Sequence, residues 1–350
     1  MKDQYKKPNV ALYNLPFTCE TFNGMPYRAL GKSGLRVSSV GLGAWKIGYP
    51  ETGDGSRVNE KSAFQLFDRS VELGVTFWDT ANRYNNSSGN SERVIGNWLK
   101  NNPEQRRNIV LATKLAGTMD GLTPNHCGLS RTNILNSVYA SLERLQTDYI
   151  DLLYFHVFDP SVPIEESLTA IEDLVKRDLI RYFAVSNFSI DQLNAYEQMG
   201  NKLSMRSRIV AVQNQFDILH GEPEAFAGVR QYASRKEISY IAWSPLARGL
   251  LTERYLDVKK VGPGDRLFDE GMIEKGVDQG TMHKVQALAA LAREWDLKLS
   301  QLVLAYMLTL PGMGPVIPSS SSVPQVESNA AAGKVVLSDA QRQQVEKVLK

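Results

Sequence analysis

Several polar residues stand where short apolar runs end. Phe77-Trp78 leads into Asp79, with Tyr84 shortly after; Ile109-Val110-Leu111-Ala112-Thr113 leads into Lys114; Leu152-Leu153-Tyr154-Phe155 leads into His156. Brought to one place, an aspartate, a tyrosine, a lysine and a histidine suit carbonyl reduction. Hydride attack on a carbonyl leaves an alkoxide, which needs a proton and stabilisation of its charge. A free tyrosine ionises near pH ~10, so a neighbouring cation is expected to favour the phenolate. Lys114 is placed to supply that charge, Asp79 to fix the lysine by an ion pair, and His156 to hold the carbonyl oxygen beside the Tyr84 hydroxyl. Any one of these residues alone is unremarkable. Their joint occurrence at successive run ends singles them out, because buried charges need partners.

Other chemistries find no footing. The four histidines, at 126, 156, 220 and 283, show no HExxH spacing, and neither a GxxxxGK[ST] phosphate loop nor a GxSxG elbow occurs.

The elements that would position this set alternate along the chain. Candidate strands are 39–44, 76–80, 109–113, 151–156, 181–186, 210–213, 239–243 and 314–318. Most are apolar on consecutive residues, as expected for parallel strands covered on both faces by helices. Helices fit the gaps. Ile134, Leu135, Val138, Leu142 and Leu145 form one stripe, and Val285, Leu288, Ala292 and Trp295 another. Asn59 can cap a helix ending at Gly74; Ser189 with Gln192, and Ser338 with Gln341, have capping-box spacing.

About eight strand–helix units predict an α/β fold, a (β/α)8 TIM barrel, with extra helices near the C-terminus. The rival, an open doubly wound sheet, calls for GxGxxG, and Gly41-Leu42-Gly43 lacks the third glycine. Residues 25–37 read as a hairpin turning at Gly31-Lys32-Ser33-Gly34. Residues 115–130 and 246–281 read as long loops leaving strand C-termini, where barrel enzymes build their sites. Residues 1–24 are expected to be an N-terminal extension and 25–350 a single barrel domain.

Lys plus Arg total 40 against 38 Asp plus Glu, without a basic stripe, so neither nucleic acid nor an anionic membrane surface is an expected partner. Cys19 and Cys127 form no CxxC pair, and no apolar run approaches a membrane span's ~18 residues; a cytoplasmic protein is expected.

The segments Gly41-Leu42-Gly43-Ala44-Trp45, Asp79-Thr80-Ala81-Asn82-Arg83-Tyr84, Thr113-Lys114, Phe155-His156, Val185-Ser186-Asn187-Phe188, Val212-Gln213 and Trp243-Ser244-Pro245-Leu246 resemble the aldo-keto reductase family, in family order from about Met25 to the C-terminus. The resemblance implies a (β/α)8 barrel with Asp79, Tyr84, Lys114 and His156 as reactive residues. Tyr84 would be the acid in reduction and the base in oxidation. It also implies that Gly43, Ala44, Trp45 and Asp79 border the cofactor, and that Ser186, Asn187 and Gln213 bond the nicotinamide carboxamide. Trp243 would stack on the ring, and Ser244, Pro245, Leu246 and Arg248 would lie along the pyrophosphate.

The C-terminal signature departs from the family. Pro318-Ser319-Ser320-Ser321-Ser322-Val323-Pro324-Gln325, then Ser328-Asn329, has serine where many members carry lysine (319), glutamine for arginine (325) and serine for glutamate (328). Those cations grip the adenosine 2′-phosphate. Ser319, Ser321, Gln325 and Asn329 can still hydrogen-bond there, and Arg254 and Arg266 can supply charge, so NADP(H) is favoured and NAD(H) possible. Trp45, Trp78, Val157 and Phe158 are expected to wall a substrate site around Tyr84, with Asn85 and Asn86 near it. The substrate class is a small carbonyl compound or sugar. A cofactor-binding regulatory subunit with little turnover, or an NAD-linked sugar 1-dehydrogenase, are the alternatives. Monomer and homo-oligomer both remain open.

Overall fold

The computed structural model describes residues 19–119, 121–273 and 278–350. Its centre is a parallel sheet in which each strand pairs with the next in sequence: β4 (Leu42–Gly43), β5 (Phe77–Asp79), β6 (Val110–Leu115), β7 (Ile150–Phe155), β8 (Ile180–Ser186), β9 (Ile209–Gln215), β10 (Ser239–Trp243) and β11 (Met313–Val316). Parallel bridges between Val40 and Val316 and between Gly43 and Ser319 join the last strand to the first. Gly41 N–H donates to Val316 O at 2.8 Å and Gly43 N–H to Pro318 O at 3.1 Å, so the sheet closes into the (β/α)8 barrel. The expected first strand at 39–44 is shortened to Leu42–Gly43 because this seam is carried by isolated pairings. Glycine is needed at 41, where a Cβ would lie 2.8 Å from both the Phe77 carbonyl oxygen and its ring.

The hairpin precedes the barrel. β2 (Met25–Ala29) and β3 (Arg36–Ser38) pair antiparallel, and a short β1 (Thr21–Phe22) adds a third strand that the sequence pattern did not reveal. Residues 1–18 of the expected extension lie outside the described residues.

Local signals in the sequence place the helices. Asn59 Oδ1 accepts from Ser62 N–H at 3.0 Å and starts the helix Glu60–Glu72; Gly74, at φ +77°, lies just beyond its end. The capping boxes at Ser189 and Ser338 both form. The helices Gln279–Glu294 and Asp339–Leu349 are the extras near the C-terminus and pack on each other, with Lys284 Nζ donating to Leu349 O at 2.6 Å.

Strand alternation sorts the side chains into two cores. Phe67, Trp78 and Trp98 pack together between barrel and helices, the Phe67 and Trp78 rings stacked at 4.6 Å. Phe77, Ala112, Leu152, Tyr154, Ala184, Ala211, Ile241 and Ile317 fill the barrel interior, with Leu30 and Val37 of the hairpin among them. Two residues beyond these interior positions, on the same face, stand Asp79, Lys114, His156, Ser186, Gln213, Trp243 and Ser319. The period that packs the barrel therefore delivers one polar or aromatic group from each of seven strands to its C-terminal mouth.

No helix among the described residues is long and apolar enough to cross a membrane, and no group of His, Cys, Asp or Glu among them could hold a metal ion.

Candidate active site

Lys114 is the hub of the mouth. Its Nζ donates to Asp79 Oδ1 at 2.5 Å, Thr80 O at 2.8 Å and Tyr84 OH at 2.8 Å. Both charged residues are 1% exposed. A buried ammonium and carboxylate of this kind persist only as a pair whose remaining hydrogen-bond capacity is also met. Asp79 Oδ2 accepts from Gln213 Nε2 at 2.8 Å, which meets it.

Tyr84 does not come from a strand. It opens a short turn, Tyr84–Ser87, in which Asn85, Asn86 and Ser87 have φ of 56°, 57° and 62°. Asparagine tolerates that left-handed region better than most residues, and such strain persists only where the surroundings fix it. The fixing contact is the buried Asn85 amide, which donates to Ile47 O at 2.6 Å. The turn bends the chain back so that the Tyr84 hydroxyl meets Lys114.

Burial, then the Asp79 carboxylate, holds the Tyr84 phenol well above its usual range, and burial pushes the Lys114 ammonium down. This reverses the expectation that Lys114 draws the phenol towards neutrality. Asp79 answers the lysine's charge, so Tyr84 faces a neutral pair inside a site that disfavours phenolate. The phenol stays protonated.

His156 presents its ring edge-on to Tyr84, with centroids 6.0 Å apart. Burial, Lys114 and Arg83 lower its pKa to about 3. A solvent-exposed imidazole titrates near ~6.5, so as pH falls from there towards 3 the unfolded chain takes up the proton first and the folded state loses stability. In a pH titration followed by NMR, the His156 ring is expected to stay neutral from pH 8 down to about 4 while the folded signal set persists. Titration near 6.5 in the folded protein would refute this.

Asp79, Tyr84 and His156 line one cavity of about 800 Å³, together with Gly43, Trp45, Ser186, Asn187, Gln213, Trp243, Ser244, Pro245, Leu246, Arg248, Arg254, Arg266, Pro318, Ser319, Ser321, Gln325 and Asn329, with Lys114 bonded behind them. Asn187 Nδ2 donates to His156 O and Ser186 Oγ, at 2.9 and 3.1 Å, and Asn187 Oδ1 accepts from Trp243 Nε1 at 3.1 Å, which fixes the indole. Gln325 Oε1 accepts from Ser321 N–H and Oγ at 2.7 and 3.1 Å; Asn329 Nδ2 donates to Ser320 Oγ at 3.1 Å.

Other named residues lie elsewhere. The Ala44 side chain is buried, and its carbonyl accepts from Ser91 Oγ at 2.9 Å. Val157 is exposed outside the cavity wall, and Phe158 packs edge-on to Phe188 and Tyr196. Trp78 belongs to the outer core, because alternation turns it away from its neighbour Asp79.

The long loop after β10 contains the turns Ala247–Gly249 and Glu253–Tyr255 and the helix Arg266–Asp269. It brings the Arg266 guanidinium to 4.3 Å from the Trp45 ring centroid, on which Lys46 Nζ also sits at 4.2 Å. Arg57 ties the loop down through Asp269 Oδ2 at 2.7 Å and Gly264 O at 3.0 Å. Lys46, Arg57, Lys298 and Ser300 also line the cavity, and sequence reasoning missed all of them. The one available signal was that Lys46 directly follows Trp45.

The sequence pattern described as Aldo/keto reductase family matches residues 39–350. The chain is 30% identical over 316 residues to a probable voltage-gated potassium channel subunit beta of Oryza sativa subsp. japonica, covering 89% of this chain and 92% of that protein. It is 32% identical over 352 residues to the aldo-keto reductase AFTS1 of Alternaria alternata, covering 91% and 90% respectively. A Bacillus subtilis protein named as the uncharacterized oxidoreductase YqkF is 30% identical over 309 residues, covering 88% and 91%. With this coverage, and with the barrel and its polar mouth in place, the chain belongs to the aldo/keto reductase family.

Proposed function

We propose that the protein interconverts an aldehyde, ketone or sugar carbonyl with its alcohol, using NADP(H) in preference to NAD(H). The observation that carries this reading is the buried Asp79–Lys114–Tyr84 chain beside a neutral His156, on the floor of a cavity that continues to the serine turn at 319–321.

The residues fit an extended dinucleotide. Near Tyr84 the wall offers the Ser186 hydroxyl, the Asn187 and Gln213 amides and the fixed Trp243 indole. A Cβ at Gly43 would meet Ser319 Oγ at 3.0 Å and Ile317 O at 3.1 Å, so bare backbone keeps that stretch open. The far end carries serine hydroxyls and cations, suited to phosphate.

The nicotinamide, when bound, supplies or accepts the hydride. In reduction Tyr84 gives its hydroxyl proton to the substrate oxygen, and the high phenol pKa keeps that proton in place at neutral pH. Lys114, 2.8 Å away, steadies the phenolate left behind, and Asp79 holds Lys114 in position. Neutral His156 hydrogen-bonds the substrate oxygen from the opposite side. In oxidation the proton returns to Tyr84. The free thiols of Cys19 and Cys127 suit a reducing cytoplasm.

The test follows NADPH and NADH absorbance with purified protein across a panel of aldehydes, ketones and sugars, in both directions. Turnover with several carbonyl compounds is expected; inactivity across the panel with either cofactor overturns the reading. The potassium channel subunit beta names among the relatives favour a second reading, a cofactor-binding auxiliary subunit. Very slow turnover with cofactor retained through purification would move the assignment there.

A further inference from the structure

We infer that Lys298 is the cation that receives the adenosine 2′-phosphate in this chain, an assignment that rests on the NADP(H) reading above. The cavity wall carries Lys46, Arg57, Arg248, Arg254, Arg266 and Lys298. Most of these charges are already engaged. Arg254 Nε is paired with the buried Asp265 carboxylate at 2.5 Å, and Arg57 with Asp269 at 2.7 Å. Arg248 and Arg266 share the Glu270 carboxylate, at 3.2 and 2.8 Å. Lys46 donates to Gly55 O at 3.0 Å and lies on Trp45. Among the described residues, Lys298 is the wall cation for which no acceptor lies within bonding distance.

The surroundings of Lys298 offer what a phosphate needs beside an ammonium. Lys298 immediately precedes the helix Leu299–Met307, and Ser300, in its first turn, lines the same cavity. Ser300 Oγ lies 3.5 Å from Ser328 Oγ, which links this helix start to the helix Val323–Ala332 and to the Ser321–Gln325 turn. Ser300, Ser321 and Ser328 bring neutral hydroxyl donors, and Lys298 brings the charge that strengthens such bonds. Glu253, the nearby acid on the wall, accepts the Leu299 N–H at 2.5 Å and faces the positive end of the helix. That bond occupies one of its two oxygens. Lys298 replaces, from a different strand–helix unit, the cations absent at Ser319 and Gln325. Arg254 and Arg266 each already share their charge with a carboxylate through Nε, whereas Lys298 has no such partner among the described residues.

The experiment is a tryptophan-fluorescence titration of the full-length protein with NADP⁺ and with NAD⁺, repeated with adenosine 2′,5′-bisphosphate against AMP as probes of the adenosine end. Lys298→Met is expected to weaken NADP⁺ and bisphosphate binding by ~10–100-fold, the range for one lost hydrogen bond to a charged group, with NAD⁺ and AMP unchanged. Lys298→Arg should keep most of the preference. If the wild-type protein does not prefer NADP⁺ over NAD⁺, the cofactor reading and this assignment fall together. If the wild type prefers NADP⁺, and Lys298→Met keeps that preference while Arg254→Met loses it, this assignment alone is overturned and the charge belongs to Arg254.

Discussion

Tyr84→Phe is expected to lower the turnover number roughly 10²–10⁴-fold, the usual contribution of a positioned general acid, while cofactor affinity stays at its wild-type value. Phenylalanine keeps the ring that packs against His156 at 6.0 Å and removes only the hydroxyl that Lys114 Nζ reaches at 2.8 Å. The loss should fall on the chemical step. Single-turnover reduction separates that step from binding, and tryptophan quenching by cofactor reports binding independently. The wild-type reductive rate should also be flat through neutral pH, because burial and Asp79 keep the phenol protonated there. Near-normal rates in Tyr84→Phe would place the proton donor elsewhere, with His156 the next group in reach.

Much of this site was legible because strand alternation is a local rule. Asp79, Lys114 and His156 stand at the ends of apolar runs, and a parallel barrel sends all such ends to one mouth. Tyr84 reaches the same place by a left-handed turn at Asn85-Asn86-Ser87, which no periodicity encodes; its nearness to Asp79 in sequence and the family motif were the signals for it. Trp78 shows the cost of ignoring alternation. It neighbours Asp79 in sequence and faces the opposite core. The strand at Thr21–Phe22 escaped notice because two residues carry no period.

The cofactor end was the least legible. Arg266 reaches Trp45, and Glu253 reaches the amide of Leu299, through a loop whose path is set by tertiary contacts. Nothing in the spacing of Lys298 relative to the serine turn announces that both face one cavity. The phenol's direction of shift was also beyond the sequence. It depends first on how completely water is excluded around the phenol, and then on the Asp79 carboxylate cancelling the Lys114 ammonium.

That cancellation makes Lys114→Met the most damaging single change expected here, through two separable effects. The first is on the fold. Asp79, 1% exposed, would keep its bond from Gln213 Nε2 but lose its ammonium, and breaking a buried ion pair from one side costs about 3–5 kcal/mol. The second is on the chemistry. Any phenolate formed at Tyr84 would lack the ammonium bonded to it, while the aspartate charge beside it would oppose its formation further. Adding Asp79→Asn to Lys114→Met distinguishes the two. The neutral amide removes the uncompensated charge, so denaturant unfolding should recover most of the lost stability, while turnover stays as low as in the single variant. If the double variant recovers neither, the pair is held by packing that methionine disrupts. If it recovers turnover along with stability, Lys114 serves the fold alone and the proton chemistry at Tyr84 runs without it.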